Sequence, residues 1–388
     1  MTFRLTPDQE EIRSTILRIC AEFDDDYWLE RDTKGGFPHD LHAAIASGGW
    51  LGIAMPVEYG GAGLGITEAA IMMQAMAEAG GGASAASTVH MNIFGLNPVV
   101  IFGSDEQKRR MLPPLIEGRE KACFGVTEPT TGLDTTKLKT RAVRQGDRYV
   151  VHGQKVWIST AQVADRILLL ARTTPLEEVK SPTDGLSLFY TALDRTFVDV
   201  REIDKMGRKA VDSNELFIDG LPVPVEDLIG EEGQGFRQIL HGLNAERILI
   251  AAECVGIARN ALQRAAAYAR ERIVFGRPIG QNQGVQHPLA KCWARVEASN
   301  LMTMHAAQLY DLGLACGVEA NAAKLLAAEA AVEATQTAQM TFGGFGYAKE
   351  YHVERLVREA LLFHIAPVTP QLLMSYIAEK ALGLPKSY

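Results

Sequence analysis

The spacing of apolar residues changes twice along this chain of 388 residues. Apolar residues recur at helical spacing up to about residue 121 and again from about residue 233, whereas 122–232 carries short runs rich in β-branched and aromatic residues. No helical segments separate those runs, which favours an antiparallel sandwich or barrel over a Rossmann sheet. We therefore predict a multidomain α+β protein with an N-terminal helical domain (1–121), a middle antiparallel β domain (122–232) and a C-terminal four-helix bundle (233–388).

Local signals place individual elements within these domains. Thr6-Pro7 supplies an N-cap and a proline at the first helical position, so a helix is expected to begin there. Further N-terminal helices are predicted over 67–79 and 104–110, the second ending at Pro113-Pro114. The β runs lie at 149–151, 155–159, 167–171, 186–190, 197–200 and 216–218. The bundle helices are predicted over 236–272, 284–312, 318–341 and 351–388.

Composition excludes several classes of function. Lys and Arg number 39 against 47 Asp and Glu, a net charge of −8, whereas a nucleic-acid-binding domain is usually basic. The five cysteines form no CxxC pair, so we expect neither a disulfide framework nor a metal site. Charged residues near the N-terminus argue against a signal peptide. The uncharged stretch between Glu78 and Asp105 is long enough to span a membrane but rich in Gly, Ser and Asn, so we predict a buried junction and a cytoplasmic protein.

Chemistry-bearing motifs recur in one order along the whole chain. They are 123–134 (CFGVTEPTTGLD), 153–159 (GQKVWIS), 205–208 (KMGR), 229–236 (IGEEGQGF), 271–279 (ERIVFGRPI), Gln283, 342–347 (FGGFGY) and 351–355 (YHVER). Together they resemble the acyl-CoA dehydrogenase family. The resemblance implies a helical, β and helical-bundle architecture, FAD as cofactor, and an acyl-CoA substrate. It also implies an electron-transferring flavoprotein as electron acceptor and a homotetramer, or at least a dimer.

The resemblance also assigns cofactor-binding residues. Phe124, Val126 and Thr127 resemble the groups that meet the flavin ring, Trp157 resembles the residue that covers it, and Ser159 takes the place of a hydroxyl beside flavin N5. Other positions correspond to cofactor contacts shared between subunits or to the cofactor-binding end of the family pattern: Arg272, Phe275, Gln283, Gly343, Gly344 and Thr369.

A carboxylate must remove the α-proton of the acyl thioester in the reaction that the resemblance implies, while the β-hydride passes to flavin N5. Pro367 stands where most members of the family carry that glutamate. A minority, including the isovaleryl and long-chain types, carries the base on the first bundle helix, where this chain has Glu246-Arg247. We therefore predict Glu246 as the catalytic base, with a pKa raised by burial.

Substrate contacts are assigned to Asn244, Arg247 and Leu133, the last standing where many members have a serine. Met340 replaces a glutamine that is common in the cofactor segment. Because Pro367 has no N–H, either the loop is shifted so that the amide of Val368 or Ala366 polarises the thioester carbonyl, or the chemistry differs; we favour the shift. Three alternatives stay open: an oxidase using dioxygen, a non-oxidative lyase such as a desulfinase, and a non-catalytic acyl-CoA-binding protein.

Overall fold

The computed structural model describes residues 4–387, and helices fill its N-terminal part. They are α1 (Pro7–Cys20), α2 (Asp25–Lys34), α3 (His39–Ser47), α4 (Ile66–Met76), α5 (Gly82–Phe94), α6 (Asn97–Phe102) and α7 (Asp105–Ile116). The predicted start of α1 is confirmed, because Thr6 Oγ1 accepts from the Gln9 amide at 3.2 Å while Gln9 Oε1 accepts from the Thr6 amide at 3.1 Å.

The predicted end of α7 was wrong. Pro113 and Pro114 lie inside the helix, which continues to Ile116. Each proline removes one backbone hydrogen bond, but Leu112 and Leu115 on either side are at most 1% exposed. Burial of these side chains offsets the lost hydrogen bonds, since a fully buried leucine contributes about 1.5–3 kcal/mol.

A π-helical turn at Ala77–Gly81 breaks the helical run between α4 and α5. Gly82 has φ +58, and a Cβ there would lie 2.4 Å from Glu359 Oε2, so only glycine fits. The Glu359 carboxylate accepts from the Ala83 amide at 2.8 Å and from the Ser84 hydroxyl at 2.6 Å. The C-terminal part of the chain therefore holds this break in place.

The uncharged stretch belongs to the core. By length and composition Ile66–Phe102 could cross a membrane, but 61% of its most apolar window is buried inside the protein. The last two helices of the chain also pass that test, but only as a pair bent by 44°. The prediction of a buried junction after Glu78 is thus confirmed, with the break at Ala77–Gly81.

The middle part of the chain forms one eight-stranded sheet. Its strands are β1 (Ala122–Gly125), β2 (Arg141–Gln145), β3 (Arg148–Ser159), β4 (Arg166–Arg172), β5 (Leu186–Ala192), β6 (Val198–Glu202), β7 (Ser213–Pro224) and β8 (Leu228–Ile229). They lie in the order β6-β7-β3-β2-β4-β5-β8, with β1 paired to β4. The prediction of a purely antiparallel sheet was wrong at β4, which pairs in parallel with both β1 and β2. The chain reaches β1 directly from α7 and returns to β2 through a long loop, so no hairpin sets the direction of these strands.

The C-terminal part is a helical bundle. Its elements are α8 (Gly235–Leu240), α9 (Leu243–Glu271), the short hairpin β9 (Ile273–Val274) and β10 (Arg277–Pro278), α10 (Gln283–Asp311), α11 (Gly317–Phe342), α12 (Val353–Ile365) and α13 (Pro370–Leu382). A single helix over 351–388 was a wrong prediction. The chain breaks at 366–369 because Pro367 and Pro370 cannot continue a helix, and Thr369 then caps α13.

Candidate active site

Glu246 lies in the first turn of α9 and is half-buried. Burial raises the pKa of its carboxyl above the ordinary value, and the Glu253 carboxylate acts in the same direction, whereas His90 and Arg247 oppose the shift. A carboxylate in such a place is a stronger base than one in water. The position predicted from the sequence therefore carries the electrostatics that a general base needs.

Two of the three residues predicted to contact substrate, Asn244 and Arg247, lie in the same turn of α9. Arg247 Nη1 donates to Asn244 Oδ1 at 3.1 Å. Arg247 is half-buried, and its Nε makes no hydrogen bond within residues 4–387. Burial lowers the pKa of the Arg247 guanidinium, while Glu246 acts to raise it. Leu133, the third predicted residue, is 56% exposed and none of the core clusters formed by the described residues contains it.

A buried lysine that the sequence analysis missed fixes the loop between α12 and α13. Lys324 is fully buried on α11, and its Nζ donates to the Val368 carbonyl at 2.7 Å. Burial lowers the pKa of Lys324 to about 8, and Arg247 and Glu246 are among the charges that act on it. The sequence signal that could have pointed to Lys324 is its place as the one lysine of the alanine-rich helix α11.

The loop between α12 and α13 also shows which of the two candidate amides, Val368 or Ala366, is free to polarise the thioester carbonyl. The Ala366 amide donates to the Leu362 carbonyl at 2.8 Å and so closes α12. Pro367 has no N–H. Within the described part of the chain the Val368 amide donates to no protein group. Of the two amides that the sequence allowed, Val368 is the one left to meet a ligand.

Two motifs far apart in sequence meet at the predicted flavin site. The Val156 amide donates to the Thr127 carbonyl at 2.9 Å, and Lys155 Nζ donates to the Val126 carbonyl at 3.0 Å. These contacts join the segment after β1 to β3. Phe124 lies on β1 and packs against both the helical core and the sheet.

Trp157 and Ser159 lie at the end of β3, next to a bulge in its pairing with β7. Trp157 has φ +62 and is 59% exposed, although it is a large apolar residue in a strand. A bulge and a left-handed residue turn that ring away from the sheet interior. Strain at an exposed aromatic residue indicates a ligand-binding role.

Arg208 is a further residue at this site, and the sequence analysis gave it no role. It has φ +55 and lies between β6 and β7. Its guanidinium donates to Ser159 Oγ at 2.8 Å, to Ser87 Oγ at 3.2 Å and to Ser213 Oγ at 3.2 Å. Arg208 therefore connects Ser159, whose hydroxyl is predicted to lie beside flavin N5, to Ser87 on α5.

The residues predicted to reach a neighbouring subunit project from the surface. Phe275 and Gly276 form the two-residue turn between β9 and β10, with φ +52 and +75. Phe275 is completely exposed, and Arg272 and Gln283 are also exposed. Such a turn favours Asn-Gly, so an aromatic residue there is strained. An exposed and strained phenylalanine indicates a partner beyond its own chain.

The last group of predicted residues surrounds helix ends. Gly343 has φ +62 and closes α11, while a Cβ on Gly344 would meet nothing within 4 Å, so a ligand can approach this segment. Thr369 Oγ1 accepts from the Leu372 amide at 3.5 Å and caps α13. Residues 4–387 contain no group of three or more metal-ligating side chains.

Comparison with known proteins identifies the scaffold. The acyl-CoA dehydrogenase N-terminal, middle and C-terminal domain models match residues 6–119, 123–221 and 233–382. Acyl-CoA dehydrogenase FadE12 of Mycobacterium tuberculosis is 35% identical over 401 residues, which cover 100% of this chain and 99% of the relative. This chain belongs to the acyl-CoA dehydrogenase family.

Solved structures of the family share the fold over the whole chain. Butyryl-CoA dehydrogenase from Megasphaera elsdenii matches with a TM-score of 0.93 and 29% identity, covering 98% of this chain and 100% of that one. The FAD complex of PigA matches with a TM-score of 0.92 and 26% identity, covering 99% and 100% of the two chains. The predicted three-part architecture is thus that of acyl-CoA dehydrogenases.

FAD is the cofactor of this acyl-CoA dehydrogenase family member, and the residues present fit it. Trp157 offers an exposed aromatic face to a planar ring, and Ser159 places a hydroxyl two residues away. Arg272 offers an exposed guanidinium, the group best suited to a pyrophosphate. These residues would hold a flavin and its phosphates, whereas the described residues offer nothing comparable to a metal ion.

Phe275→Asn is expected to stabilise the apoprotein by about 1 kcal/mol, since asparagine tolerates the left-handed conformation far better than phenylalanine. The same change should weaken FAD binding by about tenfold, because it removes an exposed aromatic anchor. Urea unfolding of the apoprotein and titration with FAD measure the two effects. Val274→Thr, next to the turn, should leave both quantities unchanged. A loss of stability with unaltered FAD affinity would contradict a cofactor role for Phe275.

Proposed function

We propose that this protein catalyses the α,β-dehydrogenation of an acyl-CoA thioester to the 2-enoyl-CoA, with Glu246 removing the α-proton. The observation that carries the proposal is the desolvated Glu246 carboxylate at the start of α9, together with Pro367 in the loop where most of the family carries its base. A helix surface glutamate would be solvated and would have no reason for a raised pKa.

The chain's own residues divide the work. Glu246 takes the proton at its carboxylate, and the nearby Arg247 and His90 stabilise its ionised form. The Val368 amide is the donor available for the thioester carbonyl, and Lys324 holds its peptide in place through the Val368 carbonyl. FAD, when bound, supplies the acceptor for the β-hydride. A removed proton and a transferred hydride leave the enoyl thioester.

An electron-transferring flavoprotein is the electron acceptor that we infer from the family resemblance.

A homotetramer, or at least a dimer, is supported by large apolar side chains that one chain leaves exposed. Phe275 is 101% exposed, Tyr347 87%, Met340 80% and Trp293 61%. Of these side chains Phe275 is the strongest support for association between subunits, because it is both completely exposed and held in a left-handed conformation. All five cysteines are buried and unpaired, which favours a reducing compartment such as the cytoplasm.

An anaerobic reductive titration tests the proposal. The oxidised flavin band of the holoenzyme should bleach on addition of straight-chain or branched acyl-CoA thioesters. The bleaching rate should rise with pH, because Glu246 must lose its proton to act as a base. Its inflection should lie above the ordinary glutamate pKa, given the direction of the shift. If the protein holds flavin but none of the added thioesters bleaches it, a non-oxidative lyase would be favoured instead. Purified protein without flavin would oppose the whole proposal.

A further inference from the structure

Three charged side chains lie in the same region as Glu246, and none of them has been assigned a contact with the substrate. We call His90, Glu253 and Arg208 the polar wall. Glu253 follows Glu246 by seven residues on α9, so it lies on the same helix face about 10 Å further along. Glu253 is fully buried, and His90 Nδ1 on α5 donates to its Oε1 at 2.5 Å.

The polar wall is continuous with the predicted flavin site. Arg208 donates to Ser159 Oγ and to Ser87 Oγ, and Ser87 lies one helical turn before His90 on α5. The charge of Glu253 acts on both Arg208 and Glu246, and that of His90 acts on Glu246. The base, the hydroxyl of Ser159 and the polar wall therefore belong to one connected group of polar side chains on α5, α9, β3 and the loop before β7.

Each member of the polar wall keeps one polar atom without a partner. Glu253 Oε2, His90 Nε2 and Arg208 Nε are sealed from solvent and make no hydrogen bond within residues 4–387. Buried polar groups in native proteins are nearly always paired, because leaving one unpaired is costly. The polar wall thus offers one free acceptor, Glu253 Oε2, and two free donors, His90 Nε2 and Arg208 Nε, to a ligand group that can both donate and accept a hydrogen bond.

Charges of both signs act on this region before any ligand enters. Burial opposes ionisation of His90, but the carboxylates of Glu253 and Glu246 raise its pKa above the ordinary value. Arg247 and Lys324 also act on Glu246, and the nearby Arg355–Glu359 pair, 3.5 Å apart, joins opposite charges. A neutral polar group that both donates and accepts can meet the acceptor and the donors of the polar wall without adding a further charge.

We propose that the polar wall binds a hydroxyl group on the distal part of the acyl chain, so that the enzyme selects hydroxyacyl-CoA thioesters over plain ones. A hydroxyl donates to Glu253 Oε2, accepts from Arg208 Nε or His90 Nε2, and adds no charge. The helical distance between Glu246 and Glu253 places that hydroxyl several carbons beyond the α-carbon. The inference rests on the acyl-CoA dehydrogenation proposed above.

Matched thioesters test this specificity. Hexanoyl-CoA, 6-hydroxyhexanoyl-CoA and adipoyl-CoA share one chain length and end in a methyl, hydroxyl and carboxylate group, and four- and eight-carbon sets extend the comparison. Calorimetry on the Glu246→Gln holoenzyme measures binding separately from turnover. We expect a hydroxyacyl thioester to bind at least tenfold more tightly than its plain counterpart, since buried polar groups left unpaired penalise the plain chain.

The double variant His90→Leu/Glu253→Met attributes the preference to the polar wall. Removing both partners of a buried pair leaves no orphaned charge, so this variant should fold where a single change might not. Its hydroxyl preference should fall to about one, whereas exposed Glu329→Gln should retain the full preference.

Three results would overturn the inference: equal binding of plain and hydroxylated chains, tightest binding of adipoyl-CoA, or a preference that survives the double variant. The first would mean that water alone fills the polar wall, and the second that it holds an anion. Failure of the proposed dehydrogenation is recognised separately, because no thioester, plain or hydroxylated, would then bleach the wild-type flavin.

Discussion

Glu246→Gln is expected to keep its FAD and to slow anaerobic flavin bleaching by acyl-CoA by about 10²–10⁴-fold, the range typical of a lost general base. Glutamine has nearly the same shape, but its amide cannot take the α-proton. The raised pKa of Glu246 and its place in the first turn of α9 make this the largest catalytic effect that we expect from one substitution. Stopped-flow absorbance of the oxidised flavin band measures the rate.

Two comparisons make that experiment specific. Glu329→Gln changes an exposed glutamate on α11 and should bleach at the wild-type rate. The ratio of flavin to protein absorbance shows whether each variant retains its cofactor. Bleaching at a near-normal rate in Glu246→Gln would remove Glu246 as the base and direct attention to the other carboxylates of the same region, Glu253 first.

The sequence predicted correctly those structural features that depend only on residues close together in the chain. Thr6 caps α1 as predicted, because the groups of Thr6 and Gln9 that form the cap lie within four residues. The helical, β and helical order was also correct, since it reflects the period of apolar residues over long stretches. The two prolines of α7 misled the prediction because the burial that offsets them depends on packing against other parts of the chain.

The buried polar side chains around Glu246 could not be predicted from local sequence signals, because their partners are distant in the chain. His90 and Glu253 are separated by 163 residues, and Arg208 reaches Ser87 across 121. Nothing in the sequence near His90 distinguishes it from a satisfied core histidine. Glu246 could be proposed as the base from the sequence alone, because the family pattern offers two positions for the base and Pro367 occupies one of them. Lys324 lies in none of the motifs, and the motif 205–208 gave no role to Arg208, so only the folded chain identifies the contacts of these two residues.

The buried ion pair behind the flavin site yields the largest stability effect that we expect. Lys155 is fully buried, and its Nζ donates to Glu128 Oε1 at 3.0 Å and to the Leu170 carbonyl at 2.8 Å, besides the Val126 carbonyl. Burial lowers the pKa of Lys155 to about 8, while Glu128 acts to raise it. Lys155→Met should therefore leave the Glu128 carboxylate buried without its cation, at a cost of about 3–5 kcal/mol in the free energy of unfolding.

Urea unfolding of the Lys155→Met apoprotein measures that loss, and gel filtration of the holoprotein shows whether FAD stays bound. FAD retention should fall too, because Lys155 ties the Val126 carbonyl to β3 and so orders the segment that is predicted to face the flavin. Lys155→Met/Glu128→Gln should recover part of the stability, since no unpaired charge remains. Lys34→Met, at an exposed ion pair with Glu30, should change nothing measurable. If Lys155→Met were as stable as the wild type, the pair would be dispensable and the order of the segment around Val126 would need another cause.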